Sequence, residues 1–369
     1  MRYYIIAGEA SGDLHASNLM KEMKAQDAKS TFRCWGGDLM EAQGGVLVKH
    51  YRELAFMGFV EVIANIRTIA KNLKFCKQDI LKYKPDALIL VDYPGFNLRI
   101  AEFAKEHHFK VIYYISPQVW AWKKSRVYKI KKTVDRMITI LPFEKDFYKT
   151  YDYDVDFVGH PLLDVIKDLD KPNAKLFKKE CQLDNRPIIA LLPGSRKQEI
   201  SKMLNRMLQL VPLFEDYQFV IAGAPGIDKD FYVSTMSAQK VRVIHSKTYE
   251  ILQLAEAAMV TSGTATLETA LFEVPEVVCF KANALSVIIA RRLVKVKFIS
   301  LVNLIMDRLV VKELIQQDLN IEKLKVELQN ILPGSPAREK MLSDYKELKK
   351  KLGGAGASSK AAKIILSEN

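Results

Sequence analysis

The 369-residue chain lacks any uninterrupted apolar run of eighteen residues, so it offers no pattern for a membrane-spanning helix. Cysteine is sparse. Cys34, Cys76, Cys181 and Cys279 lie far apart, without Cys-x-x-Cys or zinc-finger spacing, which argues against a disulfide framework or a structural zinc and suits a reducing compartment. No His/Cys/Asp cluster has ligand spacing, so no metal is expected. Gly-x-x-x-x-Gly-Lys-Ser/Thr is absent, and no good Gly-x-Gly-x-x-Gly follows the first strand-like run. ATPase and nicotinamide chemistry therefore lose their usual support, and no cofactor is expected. MRYYIIAGEASGD has too short an apolar run for a signal peptide, which makes a cytoplasmic protein the simplest expectation.

What the chain has in excess is positive charge: 56 Lys and Arg against 43 Asp and Glu, a formal +13. Such a balance favours anionic partners without naming them. Seven basic residues fall between Lys123 and Arg136, opposed only by Asp135. In ALSVIIARRLVKVKFISLVNLIMDR, Arg291, Arg292, Lys295 and Lys297 alternate with long apolar groups, a mixture suited to lipid tails and anionic head groups together. Trp120, Trp122, Phe56, Met57, Phe59 and Val60 are candidates to extend an apolar surface; a buried core helix is the alternative for the latter stretch. No DNA or RNA motif is present, and no nucleic-acid partner is expected.

A short apolar run, a Gly/Pro/Ser break and a helical stretch recur along the chain. YYIIA (3–7), ALILVDYPG (87–95), VIYYISP (111–117) and MITILPF (137–143) open such units, and IIALLPGSR, QFVIAG (218–223), VRVIH (241–245), AAMVTSGTA (257–265) and VVCFKA (277–282) begin a second series. The pattern predicts an α/β protein of two domains, 1–165 and 166–345, each with a mostly parallel sheet, facing across a cleft. Residues 166–186 read as a polar linker region. The tail, 346–369, has a Gly-rich break and then either a closing helix on the first domain or a frayed end.

Two turns suit an anion. Gly194 and Ser195 sit between a strand and a helix, beside the cationic Arg196, where backbone N–H groups point beyond the strand end. Ser262, Gly263 and Thr264 form a similar turn, with Glu268 on the following helix placed for ribose hydroxyls; a helix cap explains the same residues. Asp92 ends a strand before a Pro-Gly break, as either a proton acceptor or an Asx-type cap. Glu9, Ser11 and Asp13 lie in a flexible acidic turn that orients a sugar or caps a helix from 14 to 26. His160 and Glu144 are cleft candidates, against an interdomain histidine and a solvated helix start.

AGEASGDLHASNL (7–19), Gly36, Gly37 and Met40, MGFVEV (57–62), DYPGFNLRIA (92–101), YYISPQVWAWKKSR (113–126), ILPFEKDFY (140–148), VGHPLLD (158–164), LLPGSRKQEI (191–200), TSGTATLE (261–268) and SLVNLI (300–305) occur in this order. Together they closely resemble the lipid-A-disaccharide synthases, from residue 5 to about 320. The resemblance implies a GT-B architecture of two facing Rossmann-like domains and a metal-independent, inverting glycosyl transfer. Its substrates would be UDP-2,3-diacylglucosamine and 2,3-diacylglucosamine 1-phosphate (lipid X), and its products a β-1,6-linked disaccharide 1-phosphate and UDP. Carried over by motif, Asp92 is the general base, Arg196 with Gly194–Ser195 stabilises diphosphate, and Ser262–Thr264 with Glu268 contacts the nucleotide. Asn97 and His160 are cleft members, and Glu9, Ser11 and Asp13 shape the acceptor site. The implied setting is an anionic membrane surface at the inner face of the inner membrane, contacted by 56–75 and 285–305, with a homodimer allowed.

The chain departs from the family pattern where Gly95 replaces a second aspartate, Val302 a proline before Asn303, and Lys312 a proline before Glu313. Two other readings share the anion-suited turns or the basic surface. Another UDP-sugar transferase or a UDP-sugar epimerase is separable by product analysis. A non-enzymatic anionic-lipid-binding module leaves Asp92 and both turns without a joint purpose.

Overall fold

Residues 2–7 read RYYIIA, and all but Arg2 are buried. A strand hidden on both faces belongs inside a parallel sheet covered by helices. The computed structural model, which describes residues 1–54, 66–122, 124–236, 241–281 and 297–368, places it there. Seven strands form the first sheet: β1 (Arg2–Ala7), β2 (Thr31–Gly36), β3 (Val46–His50), β4 (Ala87–Val91), β5 (Lys110–Tyr114), β6 (Arg136–Thr139) and β7 (Asp156–Phe157). Their order is β3-β2-β1-β4-β5-β6-β7. The second sheet has β8 (Ile188–Leu192), β9 (Gln218–Gly223), β10 (Arg242–His245), β11 (Ala255–Thr261), β12 (Glu276–Phe280) and β13 (Lys312–Ile315), in the order β10-β9-β8-β11-β12-β13. Among the described residues every ladder is parallel.

In each sheet the strand order reverses beside the first strand, at β1/β4 and at β8/β11. Helices that start from the two sides of such a point cover opposite faces, leaving a crevice at the carboxyl ends of the strands. Register sets what emerges there. Ala7 pairs with Val91, so Gly8 and Asp92 leave the first sheet side by side. Leu192 pairs with Val260, which brings Pro193 and Ser262 to the same edge of the second.

The chain divides into two compact units, Met1–Val165 with Leu352–Asn369, and Ile166–Lys351. The core of the first gathers Tyr4, Ile6, Trp35, Leu88, Leu90 and Tyr113; that of the second gathers Ile188, Ala190, Val220, Ala258 and Val260. The segment expected as a linker contributes instead to the second unit: Asn173 caps the helix Ala174–Glu180, and Phe177 is buried. GEASGD is not a flexible turn. The helix expected from residue 14 begins at Ala10, with Glu9 in extended conformation at its N-cap, so Ser11 and Asp13 belong to its opening turns. Trp120, expected on an apolar surface, is buried and packs edge-on against Phe143. Trp122's side chain, Phe56, Met57, Phe59, Val60, Arg291, Arg292 and Lys295 lie outside the described residues.

The tail returns to the first unit as the helix Ala357–Ser367. Asp164 accepts from the N–H groups of Gly356, Ala357 (3.3 Å) and Ser358 (2.8 Å), a carboxylate cap at the positive end of that helix. Gln26 donates to the Ser359 carbonyl at 3.2 Å, and Glu368 pairs with Lys110 at 3.2 Å and Arg136 at 3.4 Å.

Candidate active site

At the reversal point of the first sheet, Asp92 and Tyr93 both adopt left-handed backbone angles, φ 42° and 46°. Non-glycine residues in that region cost on the order of 1–3 kcal/mol each, and persist only where their surroundings over-determine them. Asn97 supplies much of that restraint. Fully buried on the helix Pro94–Glu106, its Nδ2 donates to the carbonyls of Asp92 (2.8 Å), Val91 (3.2 Å) and Ile6 (3.4 Å). Tyr113 donates its hydroxyl to the same Asp92 carbonyl. Tyr93 lies over Gly8 so closely that a Cβ there would sit 2.4 Å from the ring, and its hydroxyl donates to Leu54 at 3.2 Å.

The Asp92 backbone is thus held in place at the strand end, and the residue is half-buried there. Burial, and next the negative charge of Glu9, push its pKa up to about 7, against a lowering hydrogen bond from the Tyr93 N–H. A carboxylate that takes up a proton near neutrality suits general-base work. Glu9 and Asp92 are therefore brought together, as the end-to-end register of β1 and β4 requires. Arg126, one of the seven basic residues between Lys123 and Arg136, is half-buried and its charge acts on Tyr113.

Several expected contact residues prove to be engaged with the protein's own backbone. Asp13, 3% exposed, accepts from the N–H groups of Gly37 (2.8 Å), Leu39 (3.2 Å) and Met40 (3.1 Å), which caps the helix Asp38–Ala42. Glu144, 1% exposed, accepts from Leu141 N (3.0 Å), Ile140 N (3.3 Å) and the Trp120 indole (3.3 Å), and burial raises its carboxyl to about 8. It is an enclosed cap, not a solvated helix start. His160 accepts from Leu162 N at 3.3 Å, and its ring meets that of His15 edge-on at 6.2 Å. Burial, then His15, lowers the His160 pKa to about 3, so the imidazole is neutral at physiological pH. These side chains, with Asn97, hold backbone in place around the site. Ser11 is half-buried in the first turn of its helix.

In the second unit, Pro193–Arg196 follows β8, and Arg196 is the N-cap of the helix Lys197–Leu208. Gly194 has φ +123°, a conformation that favours glycine. Arg196 is half exposed, at 51%, and donates to Glu199 at 3.0 Å; the Ser195 N–H donates to the other Glu199 oxygen at 3.1 Å. Glu199 was missed by sequence reading, although an acidic residue three positions into a helix signals a reach back toward the N-terminus.

Across the reversal point, Gly263 is the N-cap of the helix Thr264–Leu271. Gly263 and Thr264 are exposed, and a Cβ built at Gly263 would meet nothing within 4 Å. Ser262 donates its hydroxyl to Ile299 at 2.8 Å. That contact rests on a lock the sequence did not announce. Glu313 accepts from Ile299 N, Ser300 N and the Asn303 amide, while Asn303 Oδ1 accepts from Val310 N (2.7 Å) and Val311 N (3.0 Å). Val302, in place of proline, is buried in the first turn of the helix Leu301–Met306, and Ser300 still caps it. Glu268 is half-buried on the Thr264–Leu271 helix, and burial pushes its carboxyl up to about 7.

Among the described residues, no group of three His, Cys, Asp or Glu side chains is placed to hold a metal ion, and no helix is long and apolar enough to cross a membrane.

Residues 3–367 match the family model for lipid-A-disaccharide synthetase. The chain belongs to the lipid-A-disaccharide synthase family. It is 40% identical to lipid-A-disaccharide synthase of Syntrophus aciditrophicus over 370 residues, covering 98% of this chain and 96% of that one. The corresponding enzyme of Myxococcus xanthus is 38% identical over 373 residues, with 99% and 97% covered. Solved structures share the fold at much lower identity. A UDP-GlcNAc 2-epimerase from Methanocaldococcus jannaschii in complex with UDP-GlcNAc and UDP superimposes with TM-score 0.66 at 14% identity, covering both chains fully. UDP-GlcNAc 2-epimerase from Neisseria meningitidis bound to UDP-GlcNAc gives 0.62 at 13%, with 100% and 99% covered. The two parallel Rossmann-like sheets are those of the GT-B architecture. The protein is a glycosyltransferase of lipid A assembly, which transfers diacylglucosamine to lipid X.

Proposed function

We propose that Asp92 is the general base of this transfer and that the Gly194–Arg196 turn holds the departing diphosphate. The observation that carries the reading is the restrained Asp92 backbone at the reversal point of the first sheet, with a carboxyl pKa of about 7. In this reading the 6-hydroxyl of the acceptor sugar gives its proton to Asp92 as its oxygen attacks the anomeric carbon of the donor from the face opposite UDP. The anomeric C–O bond breaks with its electron pair on the diphosphate. Arg196 and the turn's N–H groups stabilise that charge, an effect worth about 10²–10³ in rate for a single well-placed donor.

Ser262–Thr264 and Glu268 serve the nucleotide: the exposed Gly263–Thr264 edge presents N–H groups to phosphate, and Glu268 accepts from ribose hydroxyls. Glu9 sets the basicity of Asp92, and Ser11 shapes the acceptor side. The substrates are UDP-2,3-diacylglucosamine and lipid X. Both are amphiphiles, so the protein works peripherally at an anionic membrane, on the inner face of the inner membrane, with Lys297 and the neighbouring basic-apolar stretch in contact. A homodimer is compatible with this arrangement.

Asp92→Asn keeps shape and removes basicity. Turnover should fall by about 10²–10⁴-fold, the usual range for a general base, with donor binding kept. Full turnover in a folded Asp92→Asn protein rejects the assignment.

A further inference from the structure

Glu199 occupies an unusual place in the donor-side turn. It is the third residue of its helix, where an acidic side chain ordinarily reaches back to the N–H of the N-cap residue. Here it reaches one residue further. One carboxylate oxygen accepts from Ser195 N at 3.1 Å, and the other from the Arg196 guanidinium at 3.0 Å. A Cβ added at Gly194 would come within 2.7 Å of the Glu199 Cβ and 2.8 Å of its Oε2, so side chain and turn backbone are closely fitted. The carboxylate therefore covers a backbone donor and a cation at once, as an oxyanion of a diphosphate would.

We infer that Glu199 is a built-in stand-in for the substrate's diphosphate: it holds the turn's donors in order when the site is empty and yields them when a nucleoside diphosphate arrives. This rests on the reading that the Gly194–Arg196 turn takes the diphosphate. The Ser195 N–H has one hydrogen to give, so a diphosphate oxygen that takes it displaces Glu199 Oε2, like charge beside Arg196 drives the carboxylate away, and UDP release restores it. The exchange favours turnover, because the returning carboxylate weakens the hold on the product UDP. An exposed ion pair is weak on its own and the Ser195 N–H bond to the carboxylate adds to it, so the competition is modest, on the order of three- to tenfold in affinity.

UDP binding by titration calorimetry tests this with the full chain. Glu199→Gln keeps length and removes the competing charge. It should bind UDP about three- to tenfold more tightly than the native protein, and UDP should inhibit its transfer reaction more strongly by a similar factor. If Glu199 merely orients Arg196 in the bound complex, the same variant binds UDP more weakly, and that result, like unchanged affinity, overturns the inference. Glu199→Ala carries the same expectation should the Gln variant fail to fold. Arg196→Ala separates the two layers. Native-like UDP affinity in Arg196→Ala refutes the diphosphate reading itself; weakened affinity there, without tightening in the Glu199 variants, refutes only the stand-in.

Discussion

Replacing Glu9 by Gln should move the acid limb of the pH–rate profile to lower pH. Asp92 rises from 3.8 to about 7, and burial is the larger cause, with the Glu9 charge second. A like charge close to a carboxyl is worth on the order of one pH unit, or roughly 1.4 kcal/mol. The sign follows from charge. Removing a negative neighbour favours the ionised carboxylate, so the base stays deprotonated to lower pH. With its pKa near 7, about a tenth of Asp92 is ionised at pH 6; near 6, about half is, and kcat/KM at pH 6 should rise about fivefold relative to its own plateau. The plateau itself should fall modestly, because a less basic carboxylate is a weaker proton acceptor. Initial rates at sub-saturating acceptor between pH 5 and 9 give the profile of the free enzyme. An unshifted midpoint in a folded Glu9→Gln protein refutes the electrostatic coupling, and a native profile without any limb near 7 refutes the role of burial as well.

Two further changes probe the frame. Glu276, fully buried at the start of β12, has neither carboxylate oxygen hydrogen-bonded, and burial raises its pKa well above 4.5. The folded protein therefore keeps a proton that the unfolded chain releases, so this residue's contribution to stability is present below about pH 4.5 and is lost as pH rises toward the folded pKa. The slope per proton is about 1.4 kcal/mol per pH unit. Glu276→Gln should lose less thermal stability between pH 5 and 8 than the native protein, as scanning calorimetry at matched salt would show; parallel declines contradict a buried neutral acid. Asp164→Ala removes the carboxylate cap of the tail helix, and should cost about 1–2 kcal/mol in urea unfolding while speeding protease cleavage around Gly353–Gly356. Unchanged cleavage would mean that the packing of Ala357–Ser367 along the first helix holds the tail without the cap.

What the sequence made legible was whatever depends on neighbours in the chain. β1, β4, β8 and β11 are short, mostly apolar runs that meet glycine, proline or serine within three residues, and their turns carry Asp92, Arg196 and Ser262 at the positions a parallel sheet exposes. β3 and β13, VLVKH and KELI, were not recognised because half-polar edge strands carry little apolar signal. The duties of Asp13 and Asn97 were hidden for a different reason. Asp13 meets N–H groups 24 to 27 positions away, and Asn97 reaches a carbonyl 91 positions away. A polar side chain facing a distant backbone looks, in sequence, like one facing a ligand. Asp164 and the tail helix are the extreme case, joined across 194 positions.

Mass-resolved product formation from the native protein, supplied with UDP-2,3-diacylglucosamine and lipid X, tests the central claim most directly. The account predicts an acceptor-dependent disaccharide 1-phosphate with one UDP released per linkage, and a loss of both in Asp92→Asn. An epimerised UDP-sugar formed without acceptor, or undiminished disaccharide from folded Asp92→Asn protein, would contradict it.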